Sequence, residues 1–451
     1  MFTGMAKKAT GYREPTSLGL YQRARSSFPS GVTRSTIDRD PHPIYLRGGA
    51  GAYVVDVEDR RYLDLNNNYT TLLHGHAFGP AVEAACDLVR SGSCFANPTE
   101  HEIALAELII GRIPVVERIR FVNTGTEAVM FAIKAARAFT NRPAIARFEG
   151  AYHGAFDTAE TGQNCEETPP SRGLKTPRLP YRGAPPHLLD DIIVMDFNNA
   201  DDIDRVIASH SARLAAILID PMPSRAGLIE PNPEFISALN AAAGKHGILI
   251  IADEVLNFRQ DFSGASHRYG LKPDIVTLGK VIGGGFPIGA IGGRKDVMDV
   301  FSSDNGQPLV SQGGTFSANP VSMVAGLAAM NHMQRPDFER LELMGDRLRL
   351  RLRELVEKTG QAYSINGAAS LFRIHPQQTA PSTYRQSRTN QDQRLQMRQM
   401  TTHFRDHGIL LPVEAAACLS TPMVDQDIDA ICNAFASFLD TQPSTSERAG
   451  Q

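Results

Sequence analysis

The sequence predicts an α/β protein built on a mostly parallel sheet with helices over both faces. Three features lead to that reading. Seven short apolar segments, at residues 118–123, 144–148, 192–195, 214–219, 248–252, 274–278 and 288–292, have the length and side chains of strands. Helical or loop stretches separate most of them, as in a chain of βαβ units. Most also lack a two-residue alternation of polar and apolar side chains, which indicates burial on both faces.

The chain has 451 residues, 42% of them hydrophobic, enough for a large core and for two or three domains. A formal net charge of −3 gives no electrostatic reason to expect nucleic acid or a membrane surface as partner, so small molecules are the default ligands. No apolar run approaches the roughly 20 residues that cross a bilayer, and the first 17 residues lack the apolar centre of a secretory signal. A cytoplasmic address is expected. Cys86, Cys94, Cys165, Cys418 and Cys432 are scattered and show no CxxC spacing, so reduced structural thiols and no metal site are expected.

Taken in order, residues 1–20 read as a polar, basic arm, followed by a turn at 29–35 that carries Arg34. Residues 53–57 and 61–65 read as a hairpin closed around Glu58-Asp59-Arg60, an edge sheet beside the main domain. Helical spacing appears at 80–90 and at 101–111, the second helix ending at Gly111. The strand 118–123 then leads through Thr124-Gly125-Thr126-Glu127 into a helix reaching Phe139. Residues 161–186, rich in Pro, Gly and charge, read as a surface excursion able to cover a site. A helix from Asn319-Pro320 to about 333 and a long charged one from Arg335-Pro336 to about 360 follow. Residues 369–375, 391–407 and 428–439 read as strand, helix and helix of a C-terminal α+β unit. These divide the chain into an arm with edge strands (1–75), a large domain (76–325) and a small domain (326–451).

The chemistry centres on residues 274–289, a buried strand that delivers Lys280 to a bend followed by Gly283-Gly284-Gly285. Glycines there let the backbone pass close to a flat ligand or another chain. A lysine desolvated at a strand end is a candidate for a Schiff base, although most lysines are solvated surface charges. The helix N-terminus at Thr124-Gly125-Thr126 suits a phosphate, or is an ordinary threonine cap. Asp253 ends a strand, where it can hold a protonated heteroaromatic nitrogen or serve as a cap. Tyr152-His153-Gly154 offers an aromatic face, and Gly313-Gly314-Thr315 a backbone-rich loop with a hydroxyl. Each has a plain structural alternative. In this order, within one α/β domain, they are the anchor, platform, electron sink and attachment point that pyridoxal phosphate requires.

These motifs resemble the class III aminotransferases of fold type I, close to glutamate-1-semialdehyde aminomutase and the β-phenylalanine aminotransferases, over about residues 29–439. The resemblance implies a seven-stranded, mostly parallel sheet in the large domain and a small α+β domain built from both chain ends. It implies Lys280 as the aldimine lysine, Asp253 on the pyridine nitrogen, Val255 against the ring, Gly125 and Thr126 on the phosphate, and Tyr152 with His153 at the ring. Thr315 would reach the phosphate of a neighbouring subunit, in a homodimer with shared sites. The implied reaction moves an amino group from an amine or (β-)amino acid to an oxo acid or aldehyde; an intramolecular aminomutase or a racemase are the alternatives. Arg34 is expected to bind the substrate carboxylate, with Arg259 and Glu414 beside the substrate. Leu411-Pro412-Val413-Glu414-Ala415 has no arginine where enzymes of this family acting on 2-oxoglutarate often place one, and Asp220-Pro221 replaces the usual Glu-Pro.

Overall fold

Two antiparallel pairs, β1 (Leu46–Ala50) with β2 (Tyr53–Asp56) and β2 with β3 (Arg61–Asp64), are the first strands of the computed structural model, which describes residues 15–166, 174–304 and 306–442. The hairpin expected around residues 58–60 forms because the Asp56 carboxylate accepts hydrogen bonds from the backbone N–H groups of Glu58 and Arg60, both at 2.9 Å. Residues 1–14 of the expected arm lie outside the described residues, and its end is a helix, Ser17–Ala24. Thr16 starts that helix by accepting from the Gly19 N–H.

The large sheet holds β4 (Arg118–Val122), β5 (Ala144–Phe148), β6 (Leu174–Lys175), β7 (Ile192–Met195), β8 (Leu214–Ile219), β9 (Leu249–Asp253), β10 (Ile275–Gly279) and β11 (Gly289–Gly293). Their spatial order is β4-β11-β10-β9-β8-β5-β7-β6. All seven expected strands are present. The eighth, β6, is a two-residue strand from the 161–186 excursion, laid antiparallel on the sheet edge. From β10 through β9, β8 and β5 to β7 the pairing is parallel, whereas β11 runs antiparallel to both β10 and β4.

Every residue of β5, β8, β9 and β10 is buried, because helices cover both faces. On one face the helix Gly125–Thr140 turns Ala128, Val129, Ala132, Ile133 and Ala136 toward the sheet at helical spacing. On the other, Phe235, Ile236 and Leu239 of the helix Pro233–His246 pack on Ile217 and Ile250, with Phe235 edge-on to Phe148 at 5.4 Å between ring centroids. The helix Glu100–Arg112 runs past the expected Gly111 end. It stops because Ile113 precedes Pro114, which drives Ile113 to an extended conformation.

The C-terminal part adds the helices Pro320–Asn331, Arg335–Thr359, Gln391–Asp406 and Asp425–Asp440 and the strands β12 (Ser364–Asn366), β13 (Leu371–His375), β14 (Ile409–Leu410) and β15 (Ala417–Cys418). β12, β13 and β15 form one sheet, while β14 pairs in parallel with β3 and so joins the two ends of the chain in one layer. Among the described residues no helix is long and apolar enough to cross a membrane.

Candidate active site

The parallel register of β9 and β10 sets Asp253 opposite Thr277, at the C-terminal ends where α/β sheets bind ligands. The Asp253 Oδ1 atom accepts from the Thr277 hydroxyl (3.2 Å) and the Val255 N–H (3.1 Å), and Oδ2 lies 2.8 Å from His153 Nδ1. Burial pushes the His153 imidazole below its ordinary pKa, against the pull of Asp253, so the neutral ring donates from Nδ1. A carboxylate has about four acceptor positions, so these three donors leave room for one more. His153 Nε2 is buried and has no partner.

Lys280 follows β10 directly, at φ +50° in the left-handed region that side chains larger than glycine rarely adopt. Burial pushes its ammonium below the ordinary lysine value, while Asp253 and Asp220 pull it back up. Asp220, just past the end of β8, is pushed well up by burial and by the nearby Asp253, and is bonded by the Met222 N–H (3.0 Å) and the Asn257 amide. The glycine run after Lys280 also serves the chain's own packing. A Cβ on Gly284 would sit 2.3 Å from the Ala325 carbonyl oxygen, and one on Gly326 2.1 Å from that of Ile282, so the run closes on the helix Pro320–Asn331.

The threonine cap and the anion site coexist at the start of the helix Gly125–Thr140. Thr124 Oγ1 accepts from the Glu127 N–H at 3.1 Å, which leaves the N–H groups of Gly125 and Thr126 without intrahelical acceptors. Glu127 itself turns back to the Asn123 N–H at 2.8 Å. A Cβ on Gly125 would lie 2.7 Å from Val255 Cγ1, and one on Gly154 2.6 Å from Thr126 Oγ1. The Gly279 Cβ position is 3.3 Å from Val255 Cγ1 and 3.6 Å from the Gly125 nitrogen. Four segments distant in sequence, 124–126, 152–155, 253–255 and 279–280, thus meet around one small space. Tyr152 stands on the second of them, 43% exposed, with the Arg225 guanidinium 4.6 Å over its ring.

The other expected residues lie on separate segments. Arg34 is exposed, with Nη1 3.4 Å from Asn68 Oδ1 and its guanidinium 5.3 Å over the Tyr69 ring. Asn67, Asn68, Tyr69 and Thr70 form a left-handed turn (φ +47° to +69°) that Asp64 Oδ1 holds through the N–H groups of Asn66 (2.8 Å) and Asn67 (3.1 Å). Arg259 is 1% exposed and donates to Ser370 Oγ (3.1 Å) and to the carbonyls of Thr70 (2.7 Å) and Leu419 (2.5 Å). Those bonds direct it to the chain itself, and the role it performs is to tie the left-handed turn to the C-terminal strands. Glu414 is exposed and accepts from the Thr389 hydroxyl at 2.9 Å. Thr315 is exposed in a loop whose Gly314 lies against Asn123. Sequence reasoning passed over Thr277 as a site residue. The signal was present: it is the one hydroxyl in the buried run Ile275-Val276-Thr277-Leu278.

The family profile described as aminotransferase class III matches residues 36–439. The chain belongs to the class III aminotransferases. It is 36% identical over 359 residues to a glutamate-1-semialdehyde 2,1-aminomutase of Methanothermobacter thermautotrophicus, covering 79% of this chain and 82% of that one. Among solved structures it resembles an omega-transaminase from Sphaerobacter thermophilus (42% identity, TM-score 0.91, 94% of this chain and 97% of the other). It also resembles a β-phenylalanine aminotransferase from Variovorax paradoxus (30% identity, TM-score 0.85, 94% and 93%). The aminotransferase has the fold of the type I pyridoxal-phosphate transferases, and pyridoxal phosphate is its cofactor. Its residues fit that group. Gly125 and Gly154 let Val255 and Thr126 close in at the helix N-terminus, where a Cβ at either position would collide, beside a carboxylate with one acceptor position to spare and a partly desolvated lysine.

Proposed function

We propose that this class III aminotransferase transfers an amino group from an amine or β-amino acid to an oxo acid or aldehyde, with Lys280 as attachment point and proton carrier. The observation that carries the reading is the placement of Lys280 directly after Gly279, whose Cβ position lies 3.3 Å from Val255 Cγ1 and 3.6 Å from the Gly125 nitrogen, within the field of Asp253. The bound cofactor supplies an electron sink when a proton leaves the amino-bearing carbon of the substrate. Asp253 keeps a proton on the ring nitrogen, and His153 and Thr277 hold that carboxylate in place. The N–H groups of Gly125 and Thr126 bind the phosphate at the positive end of their helix. Val255 and Tyr152 would pack against the cofactor ring. Lys280 Nζ, whose depressed pKa favours the free amine, would be the base that takes the proton from the amino-bearing carbon of the substrate. Arg34, exposed and without a carboxylate partner among the described residues, receives the substrate carboxylate through two parallel N–H groups.

The likeness to the aminomutase favours a second reading, in which donor and acceptor are one molecule. The two part on acceptor dependence. The purified protein is mixed with amines, β-amino acids and α-amino acids, and the cofactor absorption is followed with and without an added oxo acid. An aminotransferase cycles only when the oxo acid is present. Isomerisation of an amino aldehyde with no acceptor added would overturn the first reading.

The exposed Phe95, Leu309 and Phe316, together with Thr315, support a homodimer that covers these side chains and shares its sites. Sedimentation at twice the 49.1 kDa chain mass checks it, and a monomer mass would refute it. The five unpaired cysteines fit a reducing, cytoplasmic compartment.

A further inference from the structure

The loop that follows β8 carries an arginine that the cofactor chemistry leaves unused. Arginines are abundant around the site, and most are committed to the chain. Arg147 donates to the carbonyls of Ala151 and Ala159, Arg259 to three acceptors, Arg373 to the Ser224 carbonyl, and Arg385 to the Glu149 carboxylate. Arg225 differs from all of these. It is exposed, it lies 4.6 Å over the Tyr152 ring, and among the described residues its guanidinium makes no hydrogen bond or ion pair. All five of its N–H groups stay available beside the aromatic face that meets the cofactor.

The backbone beneath it is fixed on both sides. Just before Arg225, the Ser224 carbonyl accepts from Arg373 Nη1 (2.8 Å) and the Ser224 hydroxyl from the Ala416 N–H (3.0 Å). Two residues after it, the Gly227 carbonyl accepts from His375 Nε2 (3.0 Å) and Asn366 Nδ2 (3.3 Å). Inside the loop, the N–H groups of Ala226 and Leu228 both donate to the Pro223 carbonyl, at 3.1 and 3.0 Å. A charged fork on a base already ordered loses little freedom when it takes a ligand. A planar guanidinium with a shielded face is suited to a bidentate carboxylate.

We propose that Arg225 binds the second carboxylate of a dicarboxylic 2-oxo acid acceptor, while Arg34 takes the first. The proposal rests on the aminotransferase reading and on the role given to Arg34. It accounts for an acceptor site in a chain whose segment 411–415 has no arginine and offers only the Glu414 carboxylate. A donor with one carboxylate needs one arginine. A dicarboxylic acceptor needs two, and Arg34 and Arg225 are two exposed arginines with guanidinium donors to spare, Arg225 over the Tyr152 ring.

The test separates the two halves of the cycle. Wild type, Arg225→Met, Arg225→Lys and Arg34→Gln are first loaded with the amino group from an amine and freed of it. Their return is then followed by cofactor absorption against increasing 2-oxoglutarate or pyruvate. Losing one charge-assisted bidentate contact in Arg225→Met should lower the preference for 2-oxoglutarate over pyruvate by roughly tenfold or more, through the half-saturating concentration. Arg225→Lys should recover part of that preference, and Arg34→Gln should weaken both acids while the ratio between them changes little. Equal responses of Arg225→Met to the two acids, or a wild type that takes pyruvate but not 2-oxoglutarate, would overturn the Arg225 site and leave the aminotransferase reading standing. A wild type that no oxo acid returns would overturn both.

Discussion

Replacing Gly125 with Ala adds one methyl group where the structure has no room for it. The new Cβ would lie 2.7 Å from Val255 Cγ1 and 2.9 Å from Cγ2, whereas carbon atoms rest about 3.5–4.0 Å apart. Relief therefore requires Val255 to move by about 1 Å. Val255 cannot swing away freely: it is held by its N–H bond to Asp253 Oδ1, and Gly279 packs against the same Cγ1 atom. On the proposed roles of Val255 and Gly125, the displaced methyls would enter the space of the cofactor ring, and the N–H of residue 125 would shift away from the phosphate. Overpacking of this kind costs about 1–3 kcal/mol. If that strain falls on the bound state, it corresponds to roughly 5- to 150-fold weaker cofactor binding, at about 1.4 kcal/mol per tenfold.

The assay is titration of the cofactor-free protein with pyridoxal phosphate, read by absorbance, for Gly125→Ala, Val255→Ala and the double variant. Val255→Ala removes both methyls that the new Cβ would meet, so the double variant should bind more tightly than Gly125→Ala alone. That recovery is the decisive feature, because loss of helix-capping geometry at residue 125 would persist whatever stands at residue 255. Wild-type affinity in Gly125→Ala, or strictly additive losses in the double variant, would refute the packing argument.

Two further predictions concern contacts with the C-terminal strands. Arg259→Ala strands three buried acceptors, on Ser370, Thr70 and Leu419, and should lower stability by on the order of 3 kcal/mol in urea unfolding; a wild-type midpoint would refute it. Arg259→Lys should recover less than half, since one ammonium cannot span the three acceptors that a planar fork reaches. His375, buried on β13 and bonded to the Gly227 carbonyl, has its pKa lowered by burial from 6.5 to about 3. Between those values the unfolded chain binds more protons than the folded one, so the His375 contribution is complete above about pH 6.5 and is lost as the pH falls toward about 3. Thermal unfolding of His375→Gln should show a shallower decline over that window than wild type, and parallel curves would show that His375 does not titrate on unfolding.

The sheet was legible because its strands are buried on both faces. A run such as Leu214–Ile219, with every side chain inside, writes its environment directly into its composition. The reversed direction of β11 was legible only in part. The connection from Gly279 to Gly289 is too short for a crossover, yet periodicity alone says nothing about strand direction. β6 escaped detection because a two-residue edge strand has no pattern of its own. The candidate cofactor residues were chosen by type and order, and the fold brings segments 124–126, 152–155, 253–255 and 279–280 together. The reason for Gly125 and Gly154 was not legible, since it resides in Val255 and Thr126, partners that only the fold brings near.

The substrate side resisted sequence reading for a reason that the arginines make concrete. Arg34, Arg225, Arg259 and Arg373 are one residue type in four environments, and the deciding variable is whether a guanidinium still has donors to offer. Arg373 is buried against the Ser224 carbonyl, its pKa pushed down to about 10, and Arg259 is 1% exposed with bonds to three acceptors. Neither charge can be withdrawn from its carbonyls without leaving buried acceptors unpaired, which costs more than one new contact to a solvated ligand returns. Arg34 and Arg225 would give up little more than water to a carboxylate, Arg34 holding one long bond to Asn68 Oδ1 and Arg225 none. The Phe-Arg pair after Asp253-Glu254-Val255 therefore carries a structural arginine, while the one on the loop after β8, a position that no local pattern singles out, is the one that keeps its donors for the proposed substrate contact.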